Sequence, residues 1–134
     1  MKSKITFDHL NLTVGNFKES KKWYKNIFNF ELVEYGTEPD GREWGILKNG
    51  EQMLAIYEYP DRKQYDGEKY HTLNHFSFRI ENREEWEKIM KKNKLKTYYA
   101  SPFVYPNSLS WYIRDPSGYK IEVSLWNNNE VTFN

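Results

Sequence analysis

The chain has 134 residues, a formal net charge of +1 and no cysteine. This length suits one domain with one hydrophobic core. The near-neutral charge creates no general field for nucleic acid or an anionic membrane, so neither is expected as a partner. Without cysteine the chain forms no disulfide and uses no thiolate, which fits a cytoplasmic location. No apolar stretch is long enough for a signal peptide or a membrane span.

The first half of the sequence predicts a strand, a helix and three more strands. Residues 9–14 alternate between polar and apolar side chains, which indicates a strand. Asn16, with Glu19 three positions later, has the capping-box pattern that starts a helix. Asn49-Gly50 predicts a hairpin turn between two later strands. The strands predicted after the helix are 30–35, 42–48 and 52–58.

The second half repeats this order at a distance of 66 residues. His75 follows His9 by 66 positions, Asn82 follows Asn16 by 66, and Glu85 repeats Glu19. A chance match of all three residue types is improbable, so the sequence predicts two copies of one βαβββ module. The strands predicted in the second copy are 75–80, 96–100, 108–114 and 120–126, with a turn at Asp115-Pro116-Ser117-Gly118 before the last one.

The predicted organisation is one domain of residues 1–134 that contains both modules. Module one covers about residues 5–59 and module two about residues 73–126. A polar connector, residues 60–72, joins them, and residues 127–134 are predicted to form a frayed tail.

Three polar residues stand out once the strand faces are separated. The apolar residues of each strand are expected beneath the helices, so His9, His75 and Glu122 point to the opposite face. Each of them alone would be ordinary on the wet face of an antiparallel sheet. Together, two imidazoles and one carboxylate can bind a divalent first-row metal and leave positions open for water, oxygen or two substrate oxygens.

The sequence around these residues resembles the vicinal-oxygen-chelate superfamily. That group includes glyoxalase I, fosfomycin-resistance proteins, extradiol dioxygenases and bleomycin-resistance proteins. The resemblance runs from Phe7 to Trp126, and its most specific part is YIRDPSGYKIE from Tyr112 to Glu122. It implies an α+β fold in which two tandem βαβββ modules form a cup-shaped, mostly antiparallel sheet with the helices on its outer face.

The resemblance also implies a role for the three polar residues. His9, His75 and Glu122 match the family's metal ligands, so a divalent ion (Fe, Mn, Zn, Ni or Co) is expected as cofactor. A homodimer is expected, with the site either within one chain or shared between two. The leading hypothesis is a lyase-like or isomerase-like enzyme that chelates vicinal oxygens of a small-molecule substrate and stabilises an anionic intermediate. The alternatives are a metal-free binding protein of the bleomycin-resistance kind and an Fe(II) ring-cleaving dioxygenase.

The sequence departs from each enzyme class within the resemblance. Glyoxalase I carries a second Glu in its fourth strand, but counting from the turn glycines places Leu54 there and the 66-residue offset places Ile56. Extradiol dioxygenases have a His shortly before the residue matching Tyr112, where this chain has Phe-Val-Tyr-Pro. Fosfomycin-resistance proteins continue after the last Glu with an Arg-bearing segment, which this chain lacks.

Other residues are candidates for chemistry or substrate contact. Glu58 is a candidate base, although a rim or solvent position is the ordinary alternative. Tyr112 is a candidate catalytic hydrogen-bonding group, with a structural tyrosine as the alternative. The predicted substrate contacts are Asn11, Ser77, Arg79 and Trp126. A solvated arginine and a tryptophan in the core or in a dimer contact are the alternatives for the last two.

Overall fold

The computed structural model describes residues 3–64 and 67–133. The chain divides into two compact units, of which the first ends at Arg62 and the second begins at Lys63. Each unit contains one βαβββ module, which confirms the predicted α+β duplication. The predicted single domain also includes residues 1, 2 and 134, and the connector includes 65 and 66, all of which lie outside the described residues. Within the described ranges, no helix combines the length and hydropathy needed to cross a membrane.

Module one forms a four-stranded mixed sheet with one helix. Its elements are β1 (Leu10–Val14), α1 (Phe17–Phe28), β2 (Glu31–Thr37), β3 (Glu43–Asn49) and β4 (Gln52–Glu58). The strand order is β1-β4-β3-β2, with β1 parallel to β4 and the other pairs antiparallel. The predicted hairpin joins β3 and β4, and Gly50 supplies the positive φ of 59° that its turn requires.

The apolar residues of module one lie beneath α1, as the alternation predicts. Leu12 and Ile56, which are neighbours in the β1–β4 register, are almost completely buried. Tyr24 and Ile27 are the buried residues of the central and last turns of α1. The helix begins where predicted, because Asn16 Oδ1 accepts a hydrogen bond of 2.9 Å from the backbone N–H of Glu19.

Module two has the same topology. Its elements are β5 (Phe76–Ile80), α2 (Arg83–Lys92), β6 (Tyr98–Tyr105), β7 (Ser108–Arg114) and β8 (Lys120–Trp126), followed by a short 3-10 turn, Asn127–Asn129. The strand order is β5-β8-β7-β6, with β5 parallel to β8. Asn82 caps α2 by accepting a 3.0 Å hydrogen bond from the backbone N–H of Glu85, which confirms the second predicted N-cap.

The core of module two comes from the apolar faces of β7 and β8 and from α2. Trp111 and Val123 are paired in register, as are Ile113 and Ile121, and all four are buried. Trp86 is the buried residue of α2. The opposite faces of these strands are therefore left for polar and partly exposed residues.

The boundaries predicted for one strand of module two are wrong. The strand predicted at 96–100 is β6, which continues to Tyr105 past an irregularity in its pairing with β7. Tyr99 and Ala100 have positive φ angles there, and Pro102 has no backbone N–H to donate, so the alternation is interrupted. In the predicted tail, Thr132 O accepts a 2.9 Å hydrogen bond from Asn107 Nδ2.

Gly45 lies in β3 at a position with no room for a side chain. A Cβ at this position would lie 2.7 Å from Leu32 Cδ1 and 2.9 Å from Glu34 O. We expect Gly45→Ala to lower the free energy of unfolding by about 1–3 kcal/mol, because the buried site cannot expand freely. Gly15→Ala is the matched control, since a Cβ there meets nothing within 4 Å. Urea unfolding followed by circular dichroism measures both, and equal stability of the two variants would contradict this account of the packing.

Candidate functional site

The parallel pairing of β5 and β8 brings together two of the predicted metal ligands. Ser77 is paired in register with Glu122, and His75 lies two residues before Ser77, so all three are directed to the same side. His75 Nε2 lies 3.0 Å from Glu122 Oε1. The two side chains are half-buried, with 32% of His75 and 18% of Glu122 exposed. Part of module two's predicted site is therefore a direct imidazole–carboxylate contact.

Serine hydroxyls hold the other oxygen of the Glu122 carboxylate. Ser110 Oγ donates a 2.6 Å hydrogen bond to Glu122 Oε2, and Ser110 is 1% exposed. Ser124 Oγ lies 3.4 Å from the same oxygen and 3.1 Å from Ser77 Oγ. Sequence reasoning missed Ser110, although its position two residues before Tyr112 in β7 places both on the Glu122 side of the sheet. We call these residues the polar face of module two: Ser77, Ser110, Tyr112, Glu122 and Ser124.

Each of the two repeated histidines is oriented by the residue that precedes it. Asn74 Oδ1 accepts a 2.7 Å hydrogen bond from His75 Nδ1. In module one, Asp8 Oδ2 accepts a 2.7 Å hydrogen bond from His9 Nδ1. Asp8 and Asn74 are 66 positions apart, so the repeat itself contained the signal that could have identified them. In both modules, Nδ1 of the histidine forms a hydrogen bond to the preceding residue, and Nε2 is directed away from that residue.

Tyr112 lies beside the pair and forms a hydrogen bond to another phenol. Its hydroxyl is 2.6 Å from the hydroxyl of Tyr105, and its ring centroid is 6.1 Å from that of His75. Partial burial raises the pKa of Tyr112 well above the usual range, and the Tyr105 hydrogen bond and the negative charge of Glu122 raise it further. Near neutral pH the phenol is therefore protonated, and Tyr112 can donate a hydrogen bond.

The position of module one equivalent to Glu122 is occupied by Ala55. Asn11 pairs with Ala55 in the β1–β4 register, as Ser77 pairs with Glu122 in the β5–β8 register. Both counts from the sequence, to Leu54 and to Ile56, are therefore wrong by one residue. They fail because the last strands of the modules are offset by 67 residues, whereas the first strands are offset by 66. No carboxylate occupies the equivalent position in module one.

Glu58 lies on the helix-packed face of module one, which disfavours its predicted role as a base. It pairs with Val14, whose side chain is buried, whereas Asn11 and Thr13 are directed to the other face. Glu58 Oε2 accepts a 2.8 Å hydrogen bond from the backbone N–H of Phe17 in the first turn of α1. A carboxylate at this end also complements the helix dipole, so the structure gives Glu58 a helix-capping role.

The remaining predicted contacts are spread over both modules. Asn11 is exposed on the Ala55 side of module one, and Arg79 is exposed on the Ser77 side of module two. Trp126 has the strand parity of Glu122 and is half-buried. Among residues 3–64 and 67–133, no three His, Cys, Asp or Glu side chains form a group that could hold a metal ion. Within module two, the contact between His75 and Glu122 supplies two of the three predicted donors.

Two cavities border the His75–Glu122 pair within module two. One, of about 300 Å³, has His75 and Asn74 in its wall together with Lys120 and Arg114. The other, of about 520 Å³, has Glu122 in its wall. Both volumes are suitable for a small molecule or part of one.

Comparison with known proteins decides the family. Residues 6–123 match the sequence profile of the Glyoxalase/Bleomycin resistance protein/Dioxygenase superfamily. The chain belongs to this superfamily. The match covers both modules and confirms the resemblance inferred from the sequence.

Individual members of the superfamily are distant from this chain. A lactoylglutathione lyase of Neisseria meningitidis is 26% identical over 121 residues, which cover 85% of this chain and 86% of the lyase. A glyoxalase family protein of Enterococcus faecalis has a TM-score of 0.76 at 20% identity, covering 89% of this chain and 96% of that protein. A variant of the fosfomycin-resistance protein FosX of Listeria monocytogenes, solved with Mn(II) and 1S,2S-dihydroxypropylphosphonic acid, has a TM-score of 0.71 at 21% identity, covering 92% of each chain. The two structural similarities establish the fold.

The raised pKa of Tyr112 is testable in metal-free protein. We expect folded wild type and Tyr112→Phe to show the same rise in phenolate absorbance up to about pH 11, because Tyr112 ionises above that range. In denaturant, the total rise in phenolate absorbance should be smaller in the variant than in wild type by the contribution of one of eleven tyrosines. Since the folded pKa is raised, any stability from the neutral phenol is complete below about pH 10 and is lost only at higher pH. A folded variant lacking one tyrosine's amplitude below about pH 11 would show that Tyr112 titrates normally.

Proposed function

We propose that the chain is a metal-dependent enzyme that binds two adjacent oxygens of a small molecule and stabilises an anionic intermediate, with His9, His75 and Glu122 as ligands. The observation that carries the proposal is the 3.0 Å contact between His75 Nε2 and Glu122 Oε1. Two donors that each lie about 2.1 Å from a metal, at a right angle, are about 3 Å apart. The pair therefore has the spacing of adjacent ligands. We also propose a cytoplasmic location, because no structure-forming disulfide is needed.

The second nitrogen of each histidine supports the same assignment. Metal-binding histidines almost always donate their other ring N–H to a carboxylate or a carbonyl oxygen. Asp8 and Asn74 supply such oxygens to His9 and His75 at the same distance, 2.7 Å. A histidine with a merely structural role needs no such partner, and two equivalent partners are less easily explained by chance than one.

Ala55 at the position equivalent to Glu122 favours an open metal site. Three protein ligands leave coordination positions for two substrate oxygens, whereas a fourth carboxylate would occupy one of them. A divalent ion held there would supply Lewis-acid stabilisation of negative charge on those oxygens. The donor set of two imidazoles and a carboxylate suits Fe, Mn, Zn, Ni or Co. The complex of FosX with Mn(II) and a dihydroxy compound is a precedent for one member of the fold.

The chain's own residues can orient the substrate beside this site. Ser110 fixes the Glu122 carboxylate through its 2.6 Å hydrogen bond, so that Oε1 stays beside His75. The protonated phenol of Tyr112 can donate to a substrate oxygen, since its raised pKa prevents it from acting as a base near pH 7. Ser77 and Asn11 offer further polar contacts on their own modules, and Arg79 offers a cation.

Metal titration of chelator-treated protein tests the proposal. We expect about one Mn²⁺, Zn²⁺, Ni²⁺ or Co²⁺ per site by calorimetry, with Fe²⁺ titrated without oxygen. His9→Ala, His75→Ala and Glu122→Gln should each weaken binding by more than about a hundredfold, because loss of a direct ligand costs at least as much as loss of an outer partner.

His71→Ala is the matched control for the histidine variants, because His71 is an exposed residue of the connector. Circular dichroism of each variant separates loss of a ligand from loss of the fold. Failure of folded wild type to bind any of these ions, or unchanged affinity in the three variants, would refute the metal site.

We further propose a homodimer in which His9 of one chain completes the site that contains His75 and Glu122 of the other. His9 belongs to the first compact unit, and the other two ligands belong to the second. The superfamily resemblance supports this arrangement.

Mixed dimers distinguish a shared site from a site within one chain. Dimers of one His9→Ala chain and one Glu122→Gln chain can be purified with two different tags. If the site is shared, one of the two sites carries both substitutions and the other is intact, so about one ion should bind for every two chains. If each chain contains its own site, both sites are defective and no ion should bind tightly. Metal content per mixed dimer, measured by elemental analysis, gives the answer.

The alternative function is a metal-free protein that binds an aromatic ligand. Module one supplies the observation that favours it, because the Trp44 and Tyr57 rings are stacked with centroids 5.7 Å apart and an interplanar angle of 10°. Tyr57 lies two residues after Ala55 in β4, and it pairs with Thr13. Tyr57 and Ala55 therefore lie on the same side of the sheet as Asn11. Ligand binding that persists in chelator, without turnover, would support this alternative. A ring-cleaving dioxygenase would instead require Fe²⁺ and consume oxygen.

A further inference from the structure

The cavity beside Glu122 has one polar end and aromatic walls. Its volume is about 520 Å³, within the usual range of small-molecule sites. Glu122 and Ser124 form the polar end, and Tyr105, Trp126 and Phe133 contribute the aromatic rings. Its described lining residues include no Lys and no Arg. The charge of this wall therefore disfavours an anionic group and suits an uncharged, apolar one.

The C-terminal segment forms one wall of this cavity. Asn107 Nδ2 donates a 2.9 Å hydrogen bond to Thr132 O, and the Phe133 ring packs edge-on against Trp126 with centroids 5.6 Å apart. Phe133 is nevertheless 80% exposed. A large apolar ring that is held at a cavity rim but remains mostly in water can bury further surface when a ligand enters.

We propose that this cavity binds an aromatic or other flat apolar group of the substrate, next to the pair of oxygens received at the Glu122 end. The inference rests on the proposed function, because a metal held by Glu122 would place those oxygens. It names the substrate class: a small molecule with two adjacent oxygens attached to an aromatic body. Trp126 and Phe133 determine specificity by contacting that body, and Tyr105 contributes the ring on the β6 side.

Two hydroxamates provide the test, because they share a chelating head and differ in the attached group. Benzohydroxamate and acetohydroxamate both offer a carbonyl oxygen and an adjacent N–O oxygen, but the first carries a phenyl ring and the second a methyl group. Their dissociation constants are measured by calorimetry with Mn²⁺-loaded protein and corrected for their affinities for free Mn²⁺. We expect benzohydroxamate to bind at least about tenfold more tightly, as expected for an apolar group that enters a matching pocket.

The aromatic residues of the cavity should account for this preference. Phe133→Ala and Trp126→Ala should each reduce the phenyl-to-methyl ratio several-fold, because each substitution removes one aromatic ring of the cavity wall. Phe7→Ala is the matched control, because Phe7 is also an exposed terminal phenylalanine, 79% exposed, and belongs to module one. Phe133 is so exposed that its variant should fold, so the test does not depend on the stability of Trp126→Ala.

The outcomes separate the inference from the function on which it rests. A phenyl preference that Phe133→Ala and Trp126→Ala reduce and Phe7→Ala preserves would support the aromatic subsite. Equal binding of the two hydroxamates to metal-loaded protein, or a preference unchanged in both cavity variants, would overturn the subsite and leave the metal site standing. Failure of both hydroxamates to bind, in protein that takes up no metal, would overturn the proposed function and with it this inference.

Discussion

The parallel pairing of β5 with β8 is the constraint on which the candidate site depends. The register places Glu122 beside Ser77, and the strand period of two then brings His75 to the same side. The antiparallel neighbour β7 places Tyr112 opposite Glu122 and Ser110 opposite Ser124. A shift of one residue in β8 would direct Glu122 into the apolar core and Ile121 to the polar face. The buried neighbours Ile121 and Val123 therefore help to fix the position of the carboxylate.

The same framework in module one has a different surface chemistry. Ala55 takes the place of Glu122, and the stacked rings of Trp44 and Tyr57 take the places of Ser110 and Ser124. Only the helix-packed faces must retain their apolar character for both copies to fold. The opposite faces were thus able to diverge, one into a polar cluster and the other into an apolar, aromatic surface.

Much of the fold could be predicted because the residue types that recur in the two modules have local structural effects. Asn16 and Asn82 both cap helices, and the strand alternation assigned the faces correctly. The equivalent of Glu122 could not be found by counting, because the spacing of the modules changes from 66 to 67 residues before their last strands. In a strand, an error of one residue exchanges the two faces, so counting gave Leu54 and Ile56 on the helix-packed face instead of Ala55 on the opposite face.

The site was less predictable than the fold, because its supporting contacts join residues that are distant in sequence. Ser110 reaches Glu122 across a strand pair, and nothing in its own neighbourhood distinguishes it from an ordinary strand serine. Glu58 is a different case, since its residue type suggested a base whereas its register places it at a helix terminus. Asp8 and Asn74 were recognisable only in combination with the histidines that they orient.

The hydrogen bonds around Glu122 also bear on how strongly a metal ion would be held. Ser110 fixes the carboxylate before any ion arrives, so little conformational entropy is lost when the site is occupied. The direct contact between His75 Nε2 and Glu122 Oε1 has the opposite effect, because an ion held between these atoms would have to replace it. Asn74 retains its hydrogen bond to Nδ1 throughout, so the ring need not reorient. A metal ion held there would therefore replace one contact and leave the hydrogen bonds of Ser110 and Asn74 in place.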